Sequence, residues 1–206
     1  MFKLSADEVR TMRDCLKDLD VKVEHVYGTP RQVADAARTT ISLDNGDKEI
    51  SPEYMRKMYM CEHSPIRIMT YNVLLKNVPY AYAMHLVRHN IGFTPFVSTQ
   101  RDDRVKDSIP RKDKGQEEYV MLRFIGNAQA IMNISRKRLC TGASIETRLI
   151  WKAVLFEIAK YDKPLVDSCV PECVYRGFCP EFYPCKYSES KQYEEARNVY
   201  INFRKK

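Results

Sequence analysis

Apolar residues recur every three or four positions in some segments and alternate or run unbroken in others, which predicts helices interleaved with a few strands. "SADEVRTMRDCLKDL" opens with a capping box, Ser5 with Glu8, and places Val9, Met12, Leu16 and Leu19 near one face; an amphipathic helix over 5–20 follows. "VKVEHVYG" alternates as a strand. In "TPRQVADAARTT", Thr29 is the predicted N-cap, Pro30 the first helical residue and Gln32 the reciprocal capping side chain. Ser51-Pro52 repeats the device ahead of "PEYMRKMYM".

Residues 66–75, "IRIMTYNVLL", are apolar and β-branched enough for a strand covered on at least one face. "VPYAYAMHLVRH" is predicted helical, with Val78, Ala81, His85 and Arg88 or His89 near one stripe; on that apolar face His85 is expected as a packed, hydrogen-bonded histidine. A second good strand, Tyr119–Gly126, leads into the helix "NAQAIMNISRKRL". The helix "ASIETRLIWKAVLFEIAKY" follows, its apolar period (Ile145, Leu149, Ile150, Ala153, Val154, Ile158) marking it as central to the core. The sum is an α+β fold in a single domain, a central sheet flanked by several helices: core 21–163, a Cys/Pro-rich segment 164–187 and a charged terminal helix 188–206.

Composition narrows the chemistry. A chain of 206 residues with 44% hydrophobic content can bury one core. The net charge of +7 favours an anionic partner, and basic residues interleaved with acids favour a small anion over nucleic acid. The start has no apolar leader and no run is long enough for a membrane span, so a soluble, cytoplasmic protein is the expectation. Seven cysteines do not read as a secreted disulfide framework.

One stretch concentrates donors. "RHNIGFTPFVSTQR" carries the planar forks of Arg88 and Arg101 and the neutral donors Ser98, Thr99 and Gln100 around a turn-like "GFTP". It suits a phosphate; the plainer alternative is a solvated loop at a helix end.

The spacing from Arg88-His89-Asn90 to Ser98 resembles the Arg-His-Arg, seven residues, Ser signature of the flavin-dependent thymidylate synthases. Asn127-Ala128-Gln129, Asn133, Arg138-Leu139 and "ASIETR" (143–148) follow in the order of that family's Asn-Ala-Arg, Leu-Arg and Ala-Gln-x-Glu-Ile-Arg. "AARTT" (36–40), "EHSPIRI" (62–68) and the Cys-Pro-Glu tail are further echoes, so the resemblance runs from about Val21 to Cys185. The chain departs from the pattern with Asn90 and Gln129 in place of arginines, Phe96 for Glu, His85 for Gln, and Arg67-Ile68 for Glu-His.

The resemblance implies transfer of a one-carbon unit from methylenetetrahydrofolate to C5 of dUMP, with FAD carrying hydride, NADPH as reductant, and a homotetramer with sites at subunit interfaces. It places Arg88, His89, Asn90, Asn127 and Asn133 toward the flavin and Thr40 near the cofactor phosphates. Ser98, Arg101, Arg111 and Arg138 would hold the nucleotide, with Arg138 and Ser98 closest to the chemistry; Arg104 is a substitute for Arg101. Two other classes stay open: a catalytically silent nucleotide binder, and a zinc- and nucleic-acid-binding module. The second draws on Cys169, Cys173, Cys179 and Cys185, spaced C-x3-C-x5-C-x5-C, which are either zinc ligands or free thiols. Cys15, Cys61 and Cys140 are expected in the core.

Overall fold

The computed structural model describes residues 5–105 and 109–205. The elements run α1 (Ala6–Cys15), β1 (Asp20–Tyr27), α2 (Pro30–Thr39), α3 (Pro52–Met60), β2 (Thr70–Pro79), α4 (Tyr80–Val87), β3 (Phe93–Val97), β4 (Tyr119–Asn127), α5 (Ala128–Arg138), α6 (Ile145–Ala159), α7 (Lys163–Asp167), α8 (Glu172–Arg176) and α9 (Lys191–Lys205). The architecture is α+β, with one antiparallel sheet in the order β1-β2-β4-β3.

The helix starts follow from their caps. The Ser5 N–H donates to Glu8 Oε2 at 3.0 Å and the Glu8 N–H returns to Ser5 Oγ at 3.2 Å. Glu8 then receives Lys152 Nζ at 2.6 Å, clipping α1 onto α6. Thr29 and Ser51 cap α2 and α3, each at 3.2 Å. Gln32 does not close the predicted reciprocal bond; its side-chain oxygen takes the Thr29 hydroxyl instead, at 3.4 Å.

Pleating sorts the sheet into two faces. Val23, Tyr71, Val73, Leu75, Leu122, Phe124 and Phe93 point inward and are buried. They meet α6, which brings Leu149, Ile150, Trp151, Val154 and Ile158 to the same core. Phe93 stacks on Phe124 at 4.6 Å, and Trp151 lies next at 6.2 Å. The Trp151 indole donates to Ser135 Oγ at 2.9 Å, which ties α6 to α5. Asp162 Oδ2 accepts the hydroxyls of Tyr59 (2.5 Å) and Tyr71 (2.6 Å), while Oδ1 caps α7 through the Leu165 N–H at 3.0 Å. Burial, then that carboxylate, drives the Tyr59 phenol far above its ordinary range.

Four expectations shift. The N-terminal helix stops at Cys15, because Leu16 takes the cap position and Asp20 already pairs with Lys76 in the sheet. The strand expected over 66–75 is displaced: Pro65 opens a short 3-10 turn over Ser64–Ile68, and β2 runs from Thr70 to Pro79. Val78 and Pro79, expected in the next helix, therefore pair with Val120 and Tyr119. The "GFTP" turn is a strand. Gly92 turns the chain at φ +68, and Phe93–Val97 pairs with β4 at the sheet edge, where Pro95 costs no ladder bond on its outer side. Among the described residues no helix is long and apolar enough to cross a membrane.

Candidate functional site

Helix α4 ends between two groups of donors. Arg88 is its C-cap residue, exposed, and His89 follows half-buried. From α5, Arg138 reaches across: Nη2 donates to the His85 carbonyl at 2.5 Å and Nε to His89 Nε2 at 3.0 Å. That bond makes His89 Nε2 an acceptor, so the neutral ring carries its proton on Nδ1. Of the five guanidinium N–H groups of Arg138, two are so engaged and three remain.

The electrostatics of this group are unbalanced. His89 is pushed down to about 4, first by burial and then by the Arg138 and Arg88 charges. Burial and Arg88 lower Arg138 as well. Among the described residues no carboxylate pairs with Arg88 or Arg138. Two neighbouring guanidiniums without an acid leave a local excess of positive charge, which attracts anions.

A cleft of about 260 Å³ is lined by Tyr80, Met84, Val97, Ser98, Thr99, Gln100, Arg101 and Arg111. Ser98, Thr99 and Gln100 also face an adjoining cleft of about 430 Å³. Tyr80, Met84 and Arg88 stand at four-residue intervals, so Arg88 lies one turn beyond the cleft on the same stripe. Ser98 continues the edge strand: its Oγ accepts the Met121 N–H at 3.0 Å, leaving the hydroxyl proton to donate. The Gln100 side-chain nitrogen is buried without a partner. A buried unpaired amide costs about 1–3 kcal/mol, which an acceptor placed in the cleft would relieve.

The structure thus divides the expected site. Ser98, Arg101 and Arg111 share the cleft; Arg138 stands with Arg88 and His89. Arg101 is not aimed at a ligand, because its fork grips Asp103 at 2.9 and 2.7 Å, and Arg104 shares that acid at 3.5 Å. Arg111, which lines the cleft, is tied by its backbone N–H to Asp102 at 2.8 Å. Asn90 is exposed beside His89. Asn127 caps α5 through the Ala130 N–H at 2.9 Å and packs so closely under Gly92 that a Cβ there would lie 2.7 Å from its Nδ2. The Thr40 hydroxyl bonds back to Ala37 at 2.7 Å, at the end of α2. His85 Nδ1 meets the buried Thr147 hydroxyl at 2.9 Å, the packed and hydrogen-bonded state expected of it.

Asn133 belongs to a second network that the sequence did not disclose. Glu62, at φ +50, takes Gln129 Nε2 at 2.7 Å and the Arg136 guanidinium. Arg136 also donates to Asn133 Oδ1 at 3.0 Å and lies 3.6 Å over the Tyr175 ring. Burial would raise Glu62, but the hydrogen bonds from Tyr175 and Gln129 and the Arg136 charge hold it below its ordinary range. Arg136, in the charged run that ends α5, is half-buried here. The one available signal was Gln129, which stands where the resembled family carries an arginine.

Of the cysteines, Cys169 and Cys173 are buried, Cys179 is half-buried and Cys185 exposed; all are free. Cys15 and Cys61 are exposed, against the expectation of a core position, and Cys140 is half-buried. Among the described residues no three His, Cys, Asp or Glu side chains stand close enough to hold a metal ion.

No family model matches the chain, and no curated protein matches it. Solved structures do. Thymidylate Synthase X from Helicobacter pylori, with FAD and dUMP, superposes with a TM-score of 0.59 at 16% identity, covering 74% of this chain and 99% of the other. The fold is that of thymidylate synthase X. The UMP/dUMP methylase PolB from Streptomyces cacaoi, bound with 5-Br dUMP, gives a TM-score of 0.59 at 14% identity, covering 78% of this chain and 96% of its own. The similarity extends over nearly the whole of each neighbour and about three quarters of this chain.

Proposed function

We propose that the chain is an FAD-dependent enzyme transferring a one-carbon unit from methylenetetrahydrofolate to C5 of dUMP or a related uracil nucleotide, with NADPH as reductant. The observation that carries this reading is the Arg138 guanidinium, oriented by one bond to α4 and one to His89 just beyond it, with three further N–H groups and no acid partner. Solved proteins of this fold hold FAD and dUMP, or 5-Br dUMP.

The donor set fits such ligands. Flavins and uracil nucleotides present carbonyl and phosphate oxygens, and Arg88, Arg138, His89 Nδ1–H, the Ser98 hydroxyl and the Gln100 amide all donate. Arg88, His89 and Asn90 would hold the flavin, with Asn127 fixing the loop behind them. Bound FAD supplies hydride transfer; the chain supplies positions and charge. Arg138 stabilises negative charge developing on the uracil ring. Ser98 is a positioning donor, its oxygen fixed by Met121. Arg111 stands at the cleft for the phosphate, and Arg101 joins it on leaving Asp103.

In this reading the assembly is a homotetramer whose subunits complete each other's sites. The exposed outer residues Phe96, Tyr119 and Met121 beside the cleft support a protein neighbour there.

A second reading, nucleotide binding without the redox step, draws on the Glu62–Gln129–Arg136 network, whose donors are occupied internally. An absorbance spectrum of the natively purified protein, followed by FAD titration with and without dUMP, separates the two. A flavin band perturbed by dUMP supports the enzyme. No flavin binding in either titration sinks the redox step and leaves the binder.

A further inference from the structure

The last turn of α4 tightens. The His89 N–H turns back to the Leu86 carbonyl at 3.2 Å, three residues earlier, so the His85 carbonyl loses its place in the helix ladder. Arg138 takes that carbonyl with Nη2 at 2.5 Å and, with the neighbouring Nε, takes His89 Nε2 at 3.0 Å. Nε and Nη2 form one edge of the planar guanidinium, so that edge is spent on α4 and the turn after it. The seat is firm from the far side as well. His85 Nδ1 meets the buried Thr147 hydroxyl at 2.9 Å, and the Ser144 hydroxyl donates to Thr147 Oγ1 at 2.8 Å where α6 begins.

This seat decides where a proton sits. A guanidinium N–H only donates, so the nitrogen it meets keeps its lone pair, and protonating His89 Nε2 would set two donors face to face. Among the described residues His89 Nδ1 has no hydrogen-bond partner and the ring is half-buried, so its N–H is open to whatever occupies the site. The charged groups acting on the ring are Arg138 from α5 and Arg88 at the end of α4, both positive; with burial as the larger cause they push it down to about 4. At neutral pH one ring nitrogen is closed off and the other is already protonated.

We propose that Arg138 is a positioning residue for His89: it fixes the ring as the Nδ1–H tautomer, so that His89 gives the bound flavin one neutral hydrogen bond, to a carbonyl oxygen or an unprotonated ring nitrogen, and takes no part in proton transfer. The proposal rests on the reading that FAD binds at the end of α4. An imidazole with an accessible bare nitrogen suits proton transfer near pH 7; here the bare nitrogen is covered by Arg138. A neutral ring also adds no third positive charge beside Arg88 and Arg138. The other edge of the Arg138 guanidinium, Nη1 with the second N–H of Nη2, stays open for oxygens of the nucleotide, so one side chain both orients the flavin contact and holds the substrate.

The first arm of the test needs no ligand. The full chain, labelled with 15N in its histidines, is read by long-range 1H–15N correlation at neutral pH, the His89 ring being assigned by its loss in His89→Asn. A bare Nε2 and a protonated Nδ1 are expected. In Arg138→Met, which removes the fork and keeps much of the volume, the ring should relax to a mixture containing Nε2–H, and its pKa should rise toward the ordinary value of 6.5. Loss of the charge alone would move the pKa and leave the tautomer, so the tautomer is the decisive readout. A protonated Nε2 in the wild type, or an unchanged tautomer in Arg138→Met, would overturn the proposal; should that variant fail to fold, the wild-type tautomer still decides.

The second arm is FAD titration. Asn places an amide nitrogen where Nδ1 stands, whereas Gln places its amide where Nε2 stands. His89→Asn should keep FAD affinity within about threefold, and His89→Gln should lose about 3- to 10-fold, the worth of one neutral hydrogen bond. Equal losses in the two variants would overturn the donor role. A wild-type chain that binds no FAD removes the functional reading and the flavin contact together, while the tautomer stands or falls on the first arm alone.

Discussion

Arg136 and Arg138 stand two residues apart on α5 and end in opposite chemical situations. Arg136 turns to Glu62, Asn133 and the Tyr175 ring, and its charge is neutralised inside the protein. Arg138 turns to a carbonyl and a neutral imidazole, and its charge is left over. Positions two apart lie about 200° apart around the helix, so it presents them to different neighbours, and one of two identical side chains is a strut while the other keeps its charge unpaired. What separates them is the acid. An arginine with a buried carboxylate is structural, whereas one oriented by neutral acceptors offers its charge to an incoming anion.

The contrast breaks most visibly at Glu62. Glu62→Ala leaves Arg136 partly buried and unpaired; a loss of about 2–3 kcal/mol in unfolding free energy is expected from denaturant midpoints, below the fully buried case because both side chains keep some exposure. Arg138→Ala should do the reverse, changing stability by less than about 1 kcal/mol. Its dUMP affinity, read by calorimetry, should fall about 10- to 150-fold, the equivalent of one charge-assisted hydrogen bond. Equal effects of the two substitutions on dUMP binding would abolish the distinction between strut and site.

A third, smaller effect concerns pH. His89 titrates near 6.5 when unfolded and about 4 when folded, so between those values the unfolded chain binds more protons. Stability therefore rises with pH across that window and is lost as pH falls through it; about 1–2 kcal/mol is expected, discounted for partial exposure. His89→Gln should flatten this part of the profile, and bound dUMP should move the His89 transition upward, as followed by NMR. The least effect is at the loop pair: Asp103→Asn should alter stability by under about 0.5 kcal/mol, since the pair with Arg101 is exposed, yet strengthen nucleotide binding by releasing that fork. Unchanged or weaker binding would leave Arg101 outside the site.

Much of the fold was legible because its signals are local. Ser5, Thr29 and Ser51 cap helices through bonds three residues away, and the long apolar run of α6 finds the core. β3 was not legible: five residues containing a proline and preceded by a glycine read as a turn unless the partner strand is known. Within the site, the Arg88-His89 pair and Arg138 could be singled out from a spacing, but the capture of Arg101 by Asp103 could not. Glu62 and Gln129, separated by 67 residues, gave no local sign of meeting.

The sequence by itself determined where the helices begin, which faces are apolar, and that a basic, donor-rich stretch follows the helix before residue 90. Caps, periodicity and composition are written in adjacent residues. The tertiary structure alone decided which arginines remain free of acids and which amide is left unpaired, because each depends on distances between segments far apart in the chain, where pairing and desolvation are settled.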